Sequence, residues 1–420
     1  MTGSFRSRLQ ELCGALGDLG TLLPIAVALV TINQVNATGV FLVVGLAYMM
    51  AGGYYRLPVP VQPLKAVAAI AIAGVLPAAV ISASGLLMAG LLLVIAVTGL
   101  VNQLGRLFSK AVIRGIQLGV GLLLVKTGVL LVSRRQVVIG GGEGSIWMTD
   151  FSLPAGWLIA LVLGAVFLLL LKNKKLPASL ILLSLGIPVG MFWGSLPGLK
   201  SLQLGLSLPV FTLPGLADMS SALILLVIPQ LPLTLGNAVF ATVDTAKTYF
   251  GPSARRVTPK ALLTTMGIAN LGAGLLGGMP VCHGSGGLTA HYRLGARSGS
   301  TVFLLGAAFA GMAVLLNGNI IPVFALIPYA ILGILVIFVG IQHSLLVRDV
   351  KGAGDILVTL AIAISGVATS NLTVGLAFGI TLHLLLKLAR RKAGRVPGSY
   401  PEAREFSERL AKPDLKQAKS

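Results

Sequence analysis

The chain has 420 residues, of which 55% are hydrophobic and 10% are charged, whereas roughly a quarter of the residues in soluble domains are charged. This composition excludes an ordinary soluble protein, and the long apolar runs favour membrane-spanning helices over the alternating strands of a β-barrel. The net charge of +20 does not indicate nucleic acid as a partner, because the basic residues stand between apolar segments, as the positive-inside bias predicts.

The pattern predicts seven apolar segments in each half of the chain. In the first half they are 13–32, 39–53, 63–76, 78–99, 111–132, 155–171 and 176–193. A Pro/Gly/Ser/Leu-rich connection, 194–220, precedes the second set, 221–247, 259–274, 284–292, 300–316, 320–346, 355–368 and 372–388. A membrane span needs about 20 apolar residues, so the third segment of each half is too short to cross alone.

An odd number of segments per half gives the two halves opposite orientations, which is the pattern of an inverted repeat. LGDLG at 16–20 matches LGNAV at 235–239, and AGGYYRLPVPVQP at 51–63 matches LGAGLLGGMPVCH at 271–283. The two matches have nearly the same offset along the chain, which favours a genuine duplication over chance similarity. We therefore predict an all-α polytopic membrane protein with 14 segments in a 7+7 inverted repeat.

The two short segments are predicted to be half-helices that follow extended stretches. Pro58 and Pro60 oppose a helix, whereas Pro63 suits the first helical position, so 57–62 should be extended. Six extended residues at about 3.3 Å each cover roughly 20 Å and reach the middle of the membrane. The stretch MPVCHGSGGLTAHYR at 279–293 repeats this pattern from the other face.

Two half-helix N-termini that meet in the membrane have free N–H groups and partial positive charges, which suit an anion. Gly284, Gly286 and Gly287 allow a ligand to approach the backbone closely. The alternative is that these glycines lie at crowded helix crossings.

Several side chains are candidates for the site. Lys65 stands in the first turn of the first half-helix, where it attracts a ligand or pairs with a charge, unless it snorkels to the surface. Gln62 lies at the mouth of that helix as a donor or a local cap, and His283 holds the equivalent position in the second half, as a site residue or a satisfied buried group. A metal site is not expected, because no second ligand lies at a useful spacing from His283.

Two carboxylates are candidates for coupling or site support. Asp18 pairs with Lys65, contacts a coupling ion, or accepts helix N–H groups. Asp244 has Lys247 three residues on, so an ordinary surface pair is the favoured interpretation. Asn237, the counterpart of Asp18, is an uncharged amide that faces the cavity in this prediction.

At PVPVQPLKAVAAIAIA, PQLPLTLGNAVFA and GGMPVCHGSGGLTAHYRLGARSGST the chain closely resembles the molybdate transporter family, which is related to the SulP sulfate transporters. The resemblance implies the inverted-repeat fold of uracil transporters, with substrate between the half-helices of segments three and ten. The predicted substrate-binding residues, from these motifs and the glycine loop, are Gln62, Lys65, Asn237, His283, Gly284, Ser285 and Gly286.

The same resemblance implies two moving parts. A core domain comprises 1–100 and 221–317, and a gate domain comprises 101–193 and 318–388, with 194–220 as their connection. The polar tail 389–420 is expected to be cytoplasmic and is too short for the STAS domain that SulP carriers usually append.

The predicted function is that of a secondary active transporter that imports molybdate by alternating access. No Glu or Asp occurs in PVQPLKA or PVCHGSGG, and a site of donors suits fully deprotonated oxyanions better than phosphate or nucleobases. The choice among molybdate, tungstate and sulfate stays open, with a SulP-type sulfate transporter as the main alternative and an anion channel as another. No enzyme activity and no cofactor are expected, because paired acid/base groups are lacking.

The expected partners are the molybdate oxyanion and the lipid bilayer, and a homodimer is left open. The expected location is the plasma or inner membrane, with both termini in the cytoplasm.

Overall fold

The computed structural model describes residues 11, 14–101, 103–104, 108–138, 145–148, 151–171, 178–193, 205–206, 209, 211, 213–315 and 326–392. The first half of this part of the chain contains helices α1 Leu19–Ile32, α2 Ala37–Tyr55, α3 Lys65–Ala73, α4 Ala78–Thr98, α5 Lys110–Val132, α6 Ala155–Leu170 and α7 Ala178–Trp193. The 3₁₀ turn Leu16–Asp18 precedes α1.

The second half contains seven more helices. The first, α8, consists of the successive runs Leu216–Ala222, Leu223–Val227, Ile228–Leu233, Thr234–Ala241 and Thr242–Phe250. The others are α9 Pro259–Leu275, α10 Ser285–Arg293, α11 Gly299–Leu315, α12 Tyr329–Leu345, α13 Ala353–Ala368 and α14 Leu372–Lys392.

The predicted 7+7 arrangement is confirmed in the described residues. Six of the helical stretches there are long and apolar enough to cross a bilayer, and five more are apolar but shorter. The chain is an integral membrane protein. The tail beyond residue 392 and most of the connection 194–220 lie outside the described residues.

The two extended stretches meet as a short antiparallel pair of strands. Strand β1, Gln62–Pro63, lies beside β4, Val281–Cys282, with Gln62 opposite Cys282. The half-helices α3 and α10 are nine residues long each and begin at Lys65 and Ser285. These two starting points have the same offset as the motifs at 51–63 and 271–283. The inverted repeat therefore has a register at its centre in which Lys65 corresponds to Ser285.

This register corrects two details of the sequence prediction. Cys282, rather than His283, is the counterpart of Gln62. Pro63 was predicted to begin the helix but lies in β1, because the Leu64 N–H donates to the Pro280 carbonyl at 3.0 Å and continues the strand pairing. The helix consequently starts two residues later than the proline.

A second strand pair was not predicted. Strands β2, Ser145–Met148, and β3, Phe151–Pro154, form an antiparallel hairpin between α5 and α6. Four-residue strands are too short to give a clear alternation in the sequence.

Glycines allow the long helices to cross closely. Helix α2 packs on α11, where a Cβ on Gly45 would lie 2.6 Å from the Ala310 nitrogen. Helix α5 packs on α12, where a Cβ on Gly333 would lie 2.6 Å from the Gly128 carbonyl oxygen. Small residues at such crossings let the helix backbones approach closely. The resulting van der Waals contacts hold the helices together in lipid, where no hydrophobic driving force between helices exists.

The helix contacts fall into two groups. In one, α2 packs on α11 and α4 packs on α9; in the other, α5 packs on α12 and on α13, which also contacts α14. The half-helix α3 lies against α5, so it touches both groups.

Helix α8 is irregular where it passes the half-helices. It has π-helical turns at Leu223–Val227 and Thr234–Ala241, and Pro229 and Pro232 lie between them. Proline removes backbone hydrogen bonds of the helix, and π turns are common at functional sites. This segment carries Gln230 and Asn237, which both face α3 or α10.

An ion pair fastens α5 to the 3₁₀ turn Leu346–Asp349 that follows α12. Arg114 donates from Nε to Asp349 Oδ1 at 2.8 Å and from Nη2 to Oδ2 at 2.5 Å, and Lys110 Nζ lies 3.4 Å from Oδ2. The Arg114 hydrogen bonds hold the pKa of Asp349 below its usual value.

We expect Asp349→Asn to lower the free energy of unfolding by about 1 kcal/mol, a modest figure because the carboxylate is 41% exposed and water screens the pair. Since the folded pKa is depressed, this stabilisation is present above the unfolded pKa of about 4 and is lost as pH falls through the folded value. Thermal unfolding of detergent-purified protein at pH 7 and in mild acid checks this. Asp244→Asn, at an exposed position, is the matched control; equal stability of both variants at pH 7 would contradict the expectation.

Candidate functional site

A narrow cavity lies at the N-terminal end of α3, between the two groups of helices. Its lining comes from α3, α5, α8, β4 and α12. The residues are Lys65, Gln117, Gln230, Leu233, Asn237, Ala238, Cys282 and His343. Among these lining residues Lys65 is the cation, and none is a carboxylate.

Lys65 is the first residue of α3 and is half-buried. Its Nζ donates to Gln62 Oε1 at 3.1 Å, and Gln62 Nε2 donates in turn to Asp18 Oδ1 at 2.6 Å. Gln62 and Asp18 are 2% and 3% exposed. Lys65 and Asp18 are therefore linked through one amide and form no direct ion pair, contrary to one of the interpretations offered from sequence.

Asp18 points one carboxylate oxygen at the beginning of α10. A Cβ on Gly287 would lie 2.6 Å from Asp18 Oδ2, and this oxygen is buried without a hydrogen-bond partner in the described part of the chain. A negative charge beside a helix N-terminus is favourable, which explains how the fold tolerates a buried carboxylate there.

Asn237 and Ser285 join α8 to the start of α10. Ser285 Oγ donates to Asn237 Oδ1 at 2.8 Å, which leaves the Asn237 amide nitrogen to face the cavity. Gly284 precedes Ser285, and a Cβ there would overlap Gln62 Oε1. Gly286 is exposed, with open space around its Cα.

The expectation of free N–H groups at both half-helices holds for only one of them. At α3, Gln230 Oε1 accepts from the Ala66 N–H at 2.9 Å and from the Val67 N–H at 3.4 Å. At α10, the N–H groups of Gly286 and Gly287 have no acceptor among the described residues. The first N-terminus is therefore capped by a side chain from α8, and the second is open.

His283 lies near the site but faces away from the cavity. Its Nδ1 donates to the Pro60 carbonyl at 2.8 Å, so the neutral ring accepts at Nε2 from the Thr265 hydroxyl, 2.9 Å away. Tyr55 contacts Thr265 at 2.7 Å and packs edge-on against the His283 ring. Both ring nitrogens are occupied, so the geometry gives His283 the role of fixing the extended stretch before α3.

Asp244 is not brought to the site. It lies exposed on α8 and forms no ion pair with Lys247 in the described structure.

Three amide or imidazole side chains of the cavity lining were missed from the sequence. Gln230 lies within the recognised motif PQLPLTLGNAVFA, so its place there was an available signal. Gln117 and His343 are polar residues within apolar helices, a weaker signal that does not indicate which way they face. His343 Nδ1 donates to the Val339 carbonyl at 3.2 Å, and its Nε2 has no partner among the described residues.

We expect Gly287→Ala to weaken anion binding by about 10-fold or more, because the added methyl group displaces Asp18 and Gln62 together. Isothermal titration of purified protein with molybdate measures the effect. The control is Gly90→Ala on α4, where nothing lies within 4 Å of the new Cβ. If Gly287→Ala binds molybdate as tightly as Gly90→Ala does, the packing of Gly287 against Asp18 and Gln62 does not affect the anion site.

The sequence is similar to those of known transporters over most of the chain. A family model described as "Molybdate transporter of MFS superfamily" matches residues 10–124 and 222–342. Two relatives from Arabidopsis thaliana, Molybdate transporter 2 and Molybdate transporter 1, are each 28% identical; the alignments cover 90% and 94% of this chain and 87% and 92% of the relatives.

The fold is similar to that of murine Solute Carrier 26 family member A9, an anion transporter solved in the inward-facing state. The TM-score is 0.64 at 16% identity, covering 91% of this chain and 68% of that one. The 7+7 inverted repeat differs from the two six-helix halves of other MFS transporters. The family match shows that this is a transporter and not an enzyme, and the chain belongs to the family described as molybdate transporters of the MFS superfamily.

Proposed function

We propose that the chain is a secondary active transporter that imports molybdate across the plasma or inner membrane. The observation that carries this proposal is the cavity at the N-terminal end of α3, which β4, the strand before α10, also lines. It combines Lys65 with the amides of Gln117, Gln230 and Asn237, and no carboxylate is among its lining residues. The similarity to relatives named molybdate transporters supports the choice of oxyanion.

The donor chemistry selects a class of anion. Molybdate at neutral pH carries no proton, so each of its oxygens accepts hydrogen bonds. Lys65 and the Asn237 amide nitrogen supply donors, as do the open N–H groups of Gly286 and Gly287. Phosphate retains a proton and would need an acceptor, whereas no carboxylate lines the cavity. The side-chain oxygens of Gln117, Gln230 and Asn237 already accept hydrogen bonds, which leaves only the Nε2 of His343 among the lining residues.

Asp18 supplies a means of proton coupling. Its unpartnered oxygen stands at the open end of α10, and only Gln62 separates the carboxylate from Lys65. An ionised Asp18 repels an incoming dianion, whereas protonation removes that repulsion. Proton and dianion therefore favour each other's binding, as the reciprocity of linked sites requires.

The division into two groups of helices supports alternating access as the mechanism. In this proposal the half-helices move with the group containing α2, α4, α9 and α11 as a core, and the group containing α5, α12, α13 and α14, against which α3 packs through α5, acts as the gate. Movement of the first against the second exposes the cavity to one side of the membrane and then to the other. The distribution of basic residues supports a topology with both termini in the cytoplasm.

Direct binding tests this function. Purified protein is titrated with molybdate, tungstate, sulfate and phosphate, and uptake is measured in cells that lack other molybdate uptake. We expect saturable molybdate binding, weak competition by phosphate, and restored molybdoenzyme activity at trace molybdate. An affinity for sulfate equal to or higher than that for molybdate would instead favour a sulfate carrier. The similarity of the fold to that of an anion transporter is compatible with this alternative. Conductance without saturation would indicate a channel.

A further inference from the structure

Gln117 on α5 faces the cavity from the gate side and is held in one orientation. It is 3% exposed, and its Oε1 accepts from Arg114 Nη1 at 2.7 Å. Arginine has no acceptor atoms, so the amide must turn its oxygen towards Arg114 and its nitrogen away. The Gln117 amide nitrogen has no protein acceptor among the described residues, although the residue lines the cavity.

Arg114 is fixed in turn. Its remaining nitrogens form the two-point contact with Asp349 on the turn after α12. A guanidinium held at both ends cannot rotate freely, so the contact between α5 and α12 determines which end of the Gln117 amide reaches the cavity.

We propose that Gln117 is the specificity-determining residue contributed by the gate, and that Arg114 and Asp349 are its positioning residues. The Gln117 N–H groups donate to the oxyanion opposite Lys65. Because its oxygen is committed to Arg114, the Gln117 amide itself offers no acceptor to a protonated anion such as hydrogen phosphate. The inference rests on the proposed function and adds the reason for its selectivity.

This arrangement also connects selectivity with conformation. Lys65 belongs to the half-helix α3, whereas Gln117 belongs to α5. An anion that is bound by both touches the two groups of helices together, and it loses the Gln117 contact when α3 moves away from α5. The discriminating contact is thus made only while α3 and α5 are packed together.

The test is the Gln117→Glu variant, measured by titration with molybdate and by competition with inorganic phosphate. A carboxylate retains the contact with Arg114 but presents an oxygen to the cavity. We expect the Kd for molybdate to rise at least about 10-fold. The ratio of the phosphate Kd to the molybdate Kd should fall by a similar factor, because the phosphate hydroxyl can donate to the glutamate.

Gln342→Glu is the matched control, since Gln342 lies exposed on α12, and it should leave both constants unchanged. If Gln117→Glu does not fold, Gln117→Leu carries the same test, with a weaker molybdate affinity expected from loss of the donors alone. Arg114→Lys should lower the phosphate-to-molybdate ratio, because a lysine cannot hold both Asp349 and Gln117; a merely structural arginine would lower the unfolding temperature and leave the ratio unchanged.

The outcomes separate the two proposals. Absence of molybdate binding by the unaltered protein contradicts the proposed function. Normal molybdate binding together with wild-type constants for Gln117→Glu, or for Gln117→Leu where that variant carries the test, overturns the role of Gln117 alone.

Discussion

Replacing Lys65 with methionine is expected to weaken molybdate binding by about 100-fold or more. Lys65 is the cation among the described residues that line the cavity, and removing one partner of a buried charge contact costs about 2–5 kcal/mol. Methionine has a similar length and apolar volume, so the loss reports the charge rather than a cavity. Titration of purified protein with molybdate measures the effect.

Lys126→Met is the matched control, because Lys126 lies exposed on α5. This control should bind molybdate like the unaltered protein. Lys65→Arg should retain more affinity than Lys65→Met, since it keeps a cation near Gln62 Oε1. Unchanged affinity in Lys65→Met, with normal folding, would remove Lys65 from the anion site.

The prolines and glycines of the sequence predicted the central feature of the fold. Proline restrictions at 57–62 and 279–282 required extended backbone, and the offset between the motifs at 51–63 and 271–283 predicted the register that relates α3 to α10. These are local effects of backbone geometry, so they are visible in a single sequence. Lys65 was singled out for a similar reason, because a lysine within an apolar segment is costly.

The polar network was only partly predictable, because its partners are far apart in the sequence. Gln230 caps α3 from a helix 164 residues away, and His283 bonds to Pro60 across 223 residues. A single glutamine in an apolar helix, such as Gln117, has no periodic pattern to indicate its neighbours. The π turns of α8 also shift the faces that Gln230 and Asn237 present, which an ideal helical period does not predict.

The two halves of the site have become chemically different although their backbones match. In the register of the inverted repeat Lys65 corresponds to Ser285, and Gln62 corresponds to Cys282. The cation and a capped N-terminus are therefore on the α3 side, while the α10 side has open N–H groups with Asp18 beside them. An anion that is attracted by both sides must bind close to the Asp18 carboxylate. In this proposal the charge of Asp18 therefore controls whether the anion occupies the site.

Asp18→Asn is expected to abolish proton-driven accumulation of molybdate while preserving molybdate exchange. Asparagine has the size of aspartate, and its Oδ1 still accepts from Gln62. A dianion that enters without protons against a membrane potential of about 100 mV, inside negative, meets a free-energy cost of about 4.6 kcal/mol. At equilibrium its concentration inside would be roughly 2,000-fold lower than outside. Uptake into proteoliposomes with an imposed proton gradient should therefore fall to the uncoupled level.

The exchange measurement separates coupling from binding. Counterflow of labelled molybdate needs the site and the movement of the core, but it does not need a proton gradient, so Asp18→Asn should retain it within a few-fold. Asp244→Asn, at the exposed carboxylate of α8, should keep both activities. If Asp18→Asn still accumulates molybdate in response to the proton gradient, the coupling group lies elsewhere. If it loses exchange as well, the carboxylate of Asp18 is needed to build the site, and the open end of α10 cannot hold the dianion without it.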